Sequence, residues 1–283
     1  MNITTLLDKV YFAPRLKKID FYANRAGELQ HRVLDRLVRM AENTEWGKKY
    51  DYKSIHTYED FRNRLPIQTY EEVKPYVERL RAGEQNLLWP SEIRWFAKSS
   101  GTTNDKSKFL PVSKEALNDT HYQGGKDAVA LYLGQNPDSH FFSGQGLILG
   151  GSHSPNLNSR HGLVGDLSAI LIQNIHPLVN CVRVPSKKIA LMSDFEKKIE
   201  AIANSAISKD VTSLSGVPSW MLVLIKRILE KTGKQSLEEI WPNLEVFFHG
   251  GVAFTPYREQ YKEVIRSPKM HYVETYNASE GYF

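Results

Sequence analysis

One run of this chain is dense in groups that handle phosphate: Lys98–Ser99–Ser100–Gly101–Thr102–Thr103–Asn104–Asp105–Lys106–Ser107–Lys108. Hydroxyls and clustered backbone N–H groups can wrap phosphate oxygens. Glycine lets the backbone come close, and lysine adds a point charge. The run is not the G-x-x-x-x-G-K-[ST] loop, because it has a single glycine and opens a strand–turn–strand rather than a helix. On composition alone, a plain surface turn is the weightier reading. Two further polar loops follow predicted strands: His249–Gly250–Gly251, and Tyr276–Asn277–Ala278–Ser279–Glu280–Gly281. Taken alone, a Gly–Gly turn says little, and Glu280 is a solvated turn residue.

The elements that position these loops follow from periodicity. The first ninety or so residues read as helical. Leu29, Val33, Leu34, Leu37, Met40 and Ala41 recur at helical spacing, with Arg32, Asp35, Arg36 and Arg39 on the wet face. Thr57 with Asp60 and Thr69 with Glu72 have capping-box spacing, and Pro66 separates the two short helices they open. After Pro90, strands are predicted at Ile93–Phe96, Phe109–Val112, Leu147–Leu149, Val211–Leu214, Leu244–Phe248 and Met270–Thr275. Ser113, Ser193 with Glu196, and Thr255 before Pro256 are read as helix starts. A helix from Pro218 to Thr232 should stop at Gly233. Ser152–Gly165 reads as a loop. Strand, polar loop and helix recur, which gives an α/β class with parallel or mixed β-sheets layered with helices. Ligands in such sheets bind outside the carboxyl ends of strands, where all three polar loops fall.

Composition excludes several function classes. The 283 residues are 41% hydrophobic and 24% charged, an ordinary globular mixture. The formal charge of +5 comes from 37 basic and 32 acidic residues that are interspersed, so nucleic acid is not an expected partner. The single cysteine, Cys181, allows no internal disulfide and reads as a buried thiol in an apolar stretch. Nine histidines show no H-E-x-x-H spacing. His153 and His161 read as solvated loop histidines. No apolar run approaches the roughly 18 residues of a bilayer span, and the start lacks a secretory pattern. A cytoplasmic protein without a membrane partner is the expectation.

Beyond composition, Ser99 to Thr103 with Lys108 resembles the phosphate loop of adenylate-forming enzymes, Ser/Thr–Ser–Gly–Thr–Thr–Gly–x–Pro–Lys. Asn104 stands where that superfamily usually has glycine, and the lysine lies further on without a preceding proline. Those departures point to the auxin-responsive acyl-acid amido synthetases, here of bacterial type and as an N-terminal portion. Tyr276 to Glu280 is similar to the Tyr–x–x–Ser/Thr–Glu motif of the same superfamily. Thr44 to Tyr50, Leu65–Ile67 and Tyr76–Arg79 are similar to the family's N-terminal helical region, so the likeness covers most of the chain.

The resemblance implies ATP and Mg²⁺ as cofactors, with a carboxylic acid and an amine or amino acid as substrates. A carboxylate attacks the α-phosphate to give acyl-AMP and pyrophosphate, and the amine then displaces AMP. By residue, it assigns Ser99, Ser100, Gly101, Thr102, Thr103 and Lys108 to phosphate. Gly250 and Gly251 let adenine approach the backbone, Tyr276 lies against adenine, Ser279 contacts the α-phosphate and Glu280 binds Mg²⁺. A carboxylate at a strand end suits that hard cation. Lys108 and Glu280 are the expected catalytic pair, and the phosphate-loop residues are expected near Ser279 and Glu280. Val217 and Trp220, beside Ser215–Gly216, are candidates for an acyl pocket.

The implied fold is an adenylate-forming-enzyme-like large N-terminal domain. It is mostly helical over 1–90 and α/β over 91–283, and it is incomplete. Family members continue past Gly281 with a ribose-holding aspartate and a C-terminal domain carrying a lysine. The 283-residue chain is therefore expected to be inactive in amide synthesis on its own. An acyl-CoA ligase of the same superfamily and a non-catalytic nucleotide-binding module are the alternative readings.

Overall fold

The computed structural model describes residues 3–99 and 108–283. The described residues hold ten strands. In chain order they are β1 (Trp95–Ser99), β2 (Lys108–Val112), β3 (Gln145–Leu149), β4 (Leu163–Gly165), β5 (Arg183–Val184), β6 (Val211–Gly216), β7 (Val246–His249), β8 (His271–Glu274), β9 (Asn277–Ala278) and β10 (Gly281–Tyr282). The class is α/β, as the alternation of strands and helices predicts. The chain forms two compact units: Lys17–Asp119 with Ser154–Gly165, and Met1–Leu16 with Thr120–His153 and Asp166–Phe283.

The Lys17–Asp119 unit is helical up to a small mixed sheet. Helix Tyr58–Arg64 starts at a complete capping box, with the Thr57 hydroxyl accepting from the Asp60 N–H and the Asp60 carboxylate accepting from the Thr57 N–H. At helix Tyr70–Ala82 the Glu72 carboxylate accepts from both the N–H and the hydroxyl of Thr69. β2 pairs antiparallel and β4 parallel with the central strand β1. Val77 and Leu80 of the second helix bury against Ile93, Phe96 and Val164.

Three places in this unit differ from what the sequence predicts. The strand begins at Trp95 rather than Ile93, because the Gln85 side-chain amide takes both the N–H and the C=O of Ile93. Ser152–Gly165 is not all loop, since it contains β4. Helix Ala26–Ala41 buries Val38 and Ala41 and half-buries Leu34, whereas Val33, Leu37 and Met40 stand 46%, 40% and 39% exposed. Helical spacing defined a stripe there, and only one flank of it is covered.

The second unit is built on a five-stranded, fully parallel sheet in the order β5-β3-β6-β7-β8. Parallel sheets bury both faces, and successive side chains of β7 go to opposite ones. Phe247 packs with Met221, Ile225, Trp241 and Tyr261. Val246 and Phe248 pack with Tyr132 and Leu133 of helix Gln123–Gln135. Helix Pro218–Thr232 runs as predicted and ends at Gly233, whose φ of 67° is left-handed. Helix Phe195–Ala206 is capped by Asp194, not Ser193; the Asp194 carboxylate accepts from the Lys197 N–H at 3.0 Å. A carboxylate also complements the helix dipole there. Thr255 is not a cap either: Phe254 takes that position and a short turn, Thr255–Tyr257, precedes helix Arg258–Val264. Ser113 does cap, accepting from the Ala116 N–H at 3.0 Å.

Cys181 is exposed, contrary to its reading as a buried thiol. It lies in the turn Pro177–Val182, where Leu178 is 73% exposed, so the apolar letters around it mark surface rather than core. No helix among the described residues is long and apolar enough to cross a membrane.

Candidate functional site

The carboxyl ends of β6, β7 and β8 bring two of the three polar loops side by side. β7 and β8 run parallel with His249 opposite Glu274. Beyond that pair, the His249 carbonyl accepts from the Thr275 N–H at 2.7 Å and from its hydroxyl at 3.2 Å. The next residue has no room for a side chain: a Cβ on Gly250 would lie 2.1 Å from the Thr275 carbonyl oxygen. Gly251 takes a φ of 84°, left-handed backbone that glycine adopts without strain, and its Cβ position faces Val217 at 3.2 Å. The glycine pair thus exists because two strand exits run in contact. Ser215 and Gly216 are the last residues of β6 rather than a loop. Trp220 is partly exposed and meets Phe195 edge-on.

The Tyr276–Gly281 segment is not an open loop. Asn277 pairs with Tyr282 and Ala278 with Gly281, which leaves Ser279 and Glu280 as the two-residue tip of a hairpin. The Phe283 N–H donates to the Tyr276 carbonyl at 2.8 Å, and the two rings stand 5.4 Å apart. Tyr276 is 60% exposed. Ser279 is half-buried and Glu280 exposed. Among the described residues nothing bonds the Glu280 carboxylate, nor do three His, Cys, Asp or Glu converge as a metal cage. Magnesium fits that donor set, because it is commonly held by one or two carboxylates plus phosphate oxygens.

In the other unit, Ser99 and Lys108 are opposite partners at the end of the β1–β2 ladder from which the polar run leaves. Ser100, Gly101, Thr102 and Thr103 lie outside the described residues. The Lys108 ammonium stands 5.6 Å over the Tyr70 ring. Tyr70 fixes the start of β2 by bonding Phe109 at both its N–H (2.9 Å) and its carbonyl (3.3 Å).

Sequence reasoning missed a buried lysine at the same strand edge as the glycine pair. Lys198 is 1% exposed, and its ammonium donates to the carbonyls of Gly150 (2.9 Å) and Gly151 (2.8 Å) and to the Ser152 hydroxyl (3.2 Å). Asp166 holds the other side of this turn, accepting from the Ser152 N–H at 2.9 Å. Burial pushes the Lys198 ammonium pKa down, and Asp166 opposes this. The available signal was helical spacing, since Lys198 lies four residues before the buried Ile202. Lys198→Met should destabilise the protein by about 1–3 kcal/mol, because it orphans buried carbonyls without opening a large cavity. Urea denaturation checks this, and an unchanged midpoint would contradict it.

Three histidines of this unit have lowered pKa values. Burial depresses the pKa of His121, His153 and His249; Asn277 opposes the shift at His121 and Glu274 at His249. His153 is thus half-buried rather than solvated, while His161 is exposed. A depressed histidine pKa means the unfolded chain binds protons that the fold excludes. Stability should therefore be full above about pH 6.5 and fall as pH drops through that value toward the folded pKa values. Melting temperatures across that range check the sign, and a rise on mild acidification would contradict it.

Comparison with known proteins bears on this geometry. The profile described as "GH3 family N-terminal domain" matches residues 15–270. An indole-3-acetic acid-amido synthetase GH3.2 of Arabidopsis thaliana is 30% identical over 103 residues, 36% of this chain and 19% of that protein. A jasmonoyl–L-amino acid synthetase JAR4 of Nicotiana attenuata is 26% identical over 106 residues, 37% of this chain and 18% of that protein. The solved structure of a GH3.15 acyl acid amido synthetase superposes with a TM-score of 0.72 at 17% identity, covering 94% of this chain and 55% of that one. That likeness is one of fold. The alignments thus take in about a fifth of the curated relatives and about half of the solved chain.

Proposed function

The chain belongs to the GH3 family, and from that premise we propose that it is the nucleotide-handling portion of an ATP-dependent acyl-acid amido synthetase. The observation that carries this reading is the contact of Gly250 with Thr275 at the carboxyl edge of one parallel sheet, directly before the segment that carries the Ser279–Glu280 tip. Gly250 and Gly251 present bare backbone to adenine, and the exposed Tyr276 ring covers its face. The Ser279 hydroxyl contacts the α-phosphate. Ser99, Ser100, Gly101, Thr102, Thr103 and Lys108 receive phosphate oxygens, with the lysine supplying charge. Glu280 would hold Mg²⁺, which when bound would neutralise phosphate charge. The chemistry asked of these residues is positioning and electrostatic stabilisation, with no proton to abstract from a carboxylate substrate.

The curated relatives are named for acid–amino acid ligation, which supports a carboxylic acid and an amine as the substrates. The test is ATP–pyrophosphate exchange that depends on both Mg²⁺ and a carboxylic acid, run with a panel of aryl and alkyl acids. Amino-acid-dependent amide formation then separates an amido synthetase from a CoA ligase. Exchange independent of any acid would contradict the proposal.

A further inference from the structure

The hairpin that carries Ser279 and Glu280 has strands of only two residues each. Such a hairpin does not hold its own geometry in water, so something outside it must set the direction of its tip. One helical stretch meets it at three points. The His121 Nδ1 lies 2.8 Å from the Asn277 Oδ1, a bond between residues 156 positions apart. The Tyr282 ring lies where a Cβ on Gly124 would be, 2.4 Å from its Cγ. The Thr120 methyl lies beside Gly281, 3.8 Å from where its Cβ would be.

We infer that His121 is a positioning residue that clamps the Ser279–Glu280 tip through Asn277. This rests on reading that tip as part of the nucleotide and magnesium site. Since the Asn277 oxygen can only accept, Nδ1 carries the proton and donates. Asn277 is exposed, so water would satisfy its amide without His121. His121, by contrast, is 3% exposed and its ring has no freedom to follow a moving hairpin. The consequence of the bond is therefore geometric: it ties a mobile type of element to a fixed one. His121 also lies in a π-helical stretch, Ala116–Tyr122, a rare conformation that is frequent at functional sites. Nothing in the spacing of Tyr276 to Glu280 points to a partner so far back in the chain.

The experiment measures MgATP affinity by calorimetry for the 283-residue chain and for His121→Ala, Asn277→Ala, the double variant and His121→Asn. Melting temperature and amide exchange over residues 276–282 are measured in parallel. Asn277→Ala guards against a folding failure at buried His121, since it alters an exposed side chain. Loss of one such bond should weaken MgATP binding about tenfold. The double variant should be no weaker than either single one, and hairpin amides should exchange faster in both. Asparagine at 121 places an amide nitrogen where Nδ1 stood, and it should return affinity to within about threefold of the starting protein. Variants that lower the melting temperature but bind MgATP as before overturn the inference alone. A starting protein that binds no MgATP overturns the nucleotide reading, and the inference with it.

Discussion

Glu280→Gln should reduce Mg²⁺-dependent pyrophosphate release by about 100-fold or more while leaving stability within about 0.5 kcal/mol. The two halves of that expectation have separate causes. Glu280 is exposed at a hairpin tip and engages no partner among the described residues, so the fold loses nothing with its charge. A neutral amide, however, offers an oxygen without the carboxylate's charge, which makes it a much weaker ligand for a hard divalent ion. The measurement is acid-dependent pyrophosphate release at limiting Mg²⁺, beside the melting curve. Equal rates for the variant and the parent would remove Glu280 from the metal site.

Gly250→Ala should be the most damaging single methyl at the candidate site, costing about 3 kcal/mol. Its Cβ would lie 2.1 Å from the Thr275 carbonyl oxygen, which is backbone and cannot rotate away. To admit it, the exits of β7 and β8 must separate, breaking the 2.7 Å bond from the Thr275 N–H to His249. Gly125→Ala is the matched control: it lies in helix Gln123–Gln135 with nothing within 4 Å of its Cβ position. It should be neutral or stabilise by about 0.5–1 kcal/mol. Urea titrations of both variants read the difference, and comparable stabilities would mean that the strand exits are not in contact in solution.

How much of this was legible in the sequence depended on whether the deciding signal was local. Helix punctuation was: Thr57 with Asp60, and Pro218 with Gly233, act within a turn or two of where they stand. The loops at 249–251 and 276–281 were legible as strand exits, because an apolar run precedes the first and an alternating stretch the second. β4 was not, since three residues paired to β1 give no periodicity to read. For the same reason the hairpin inside Tyr276–Gly281 looked like plain loop. The covered side of helix Ala26–Ala41 was also invisible, because a hydrophobic stripe defines a face without naming its neighbour. Lys198 and His121 show the deeper limit. Each takes its role from a partner at least forty-six positions away, Ser152 for the lysine and Asn277 for the histidine. The letters K and H carry no trace of such distant partners.

The proposed function puts a metal-bound nucleotide at one strand edge, on Gly250–Gly251 and the Ser279–Glu280 tip. Manganese tests it directly, since it takes the same oxygen ligands as magnesium and broadens the resonances of nearby nuclei. The measurement is amide signal intensity across the isotope-labelled chain as manganese–ATP is added. The Ser279, Glu280, Gly250 and Gly251 signals should be lost early, and those at the opposite end of the sheet, such as Glu245 and His271, retained. Binding of manganese–ATP that leaves the hairpin-tip and glycine-pair signals at full intensity would contradict it.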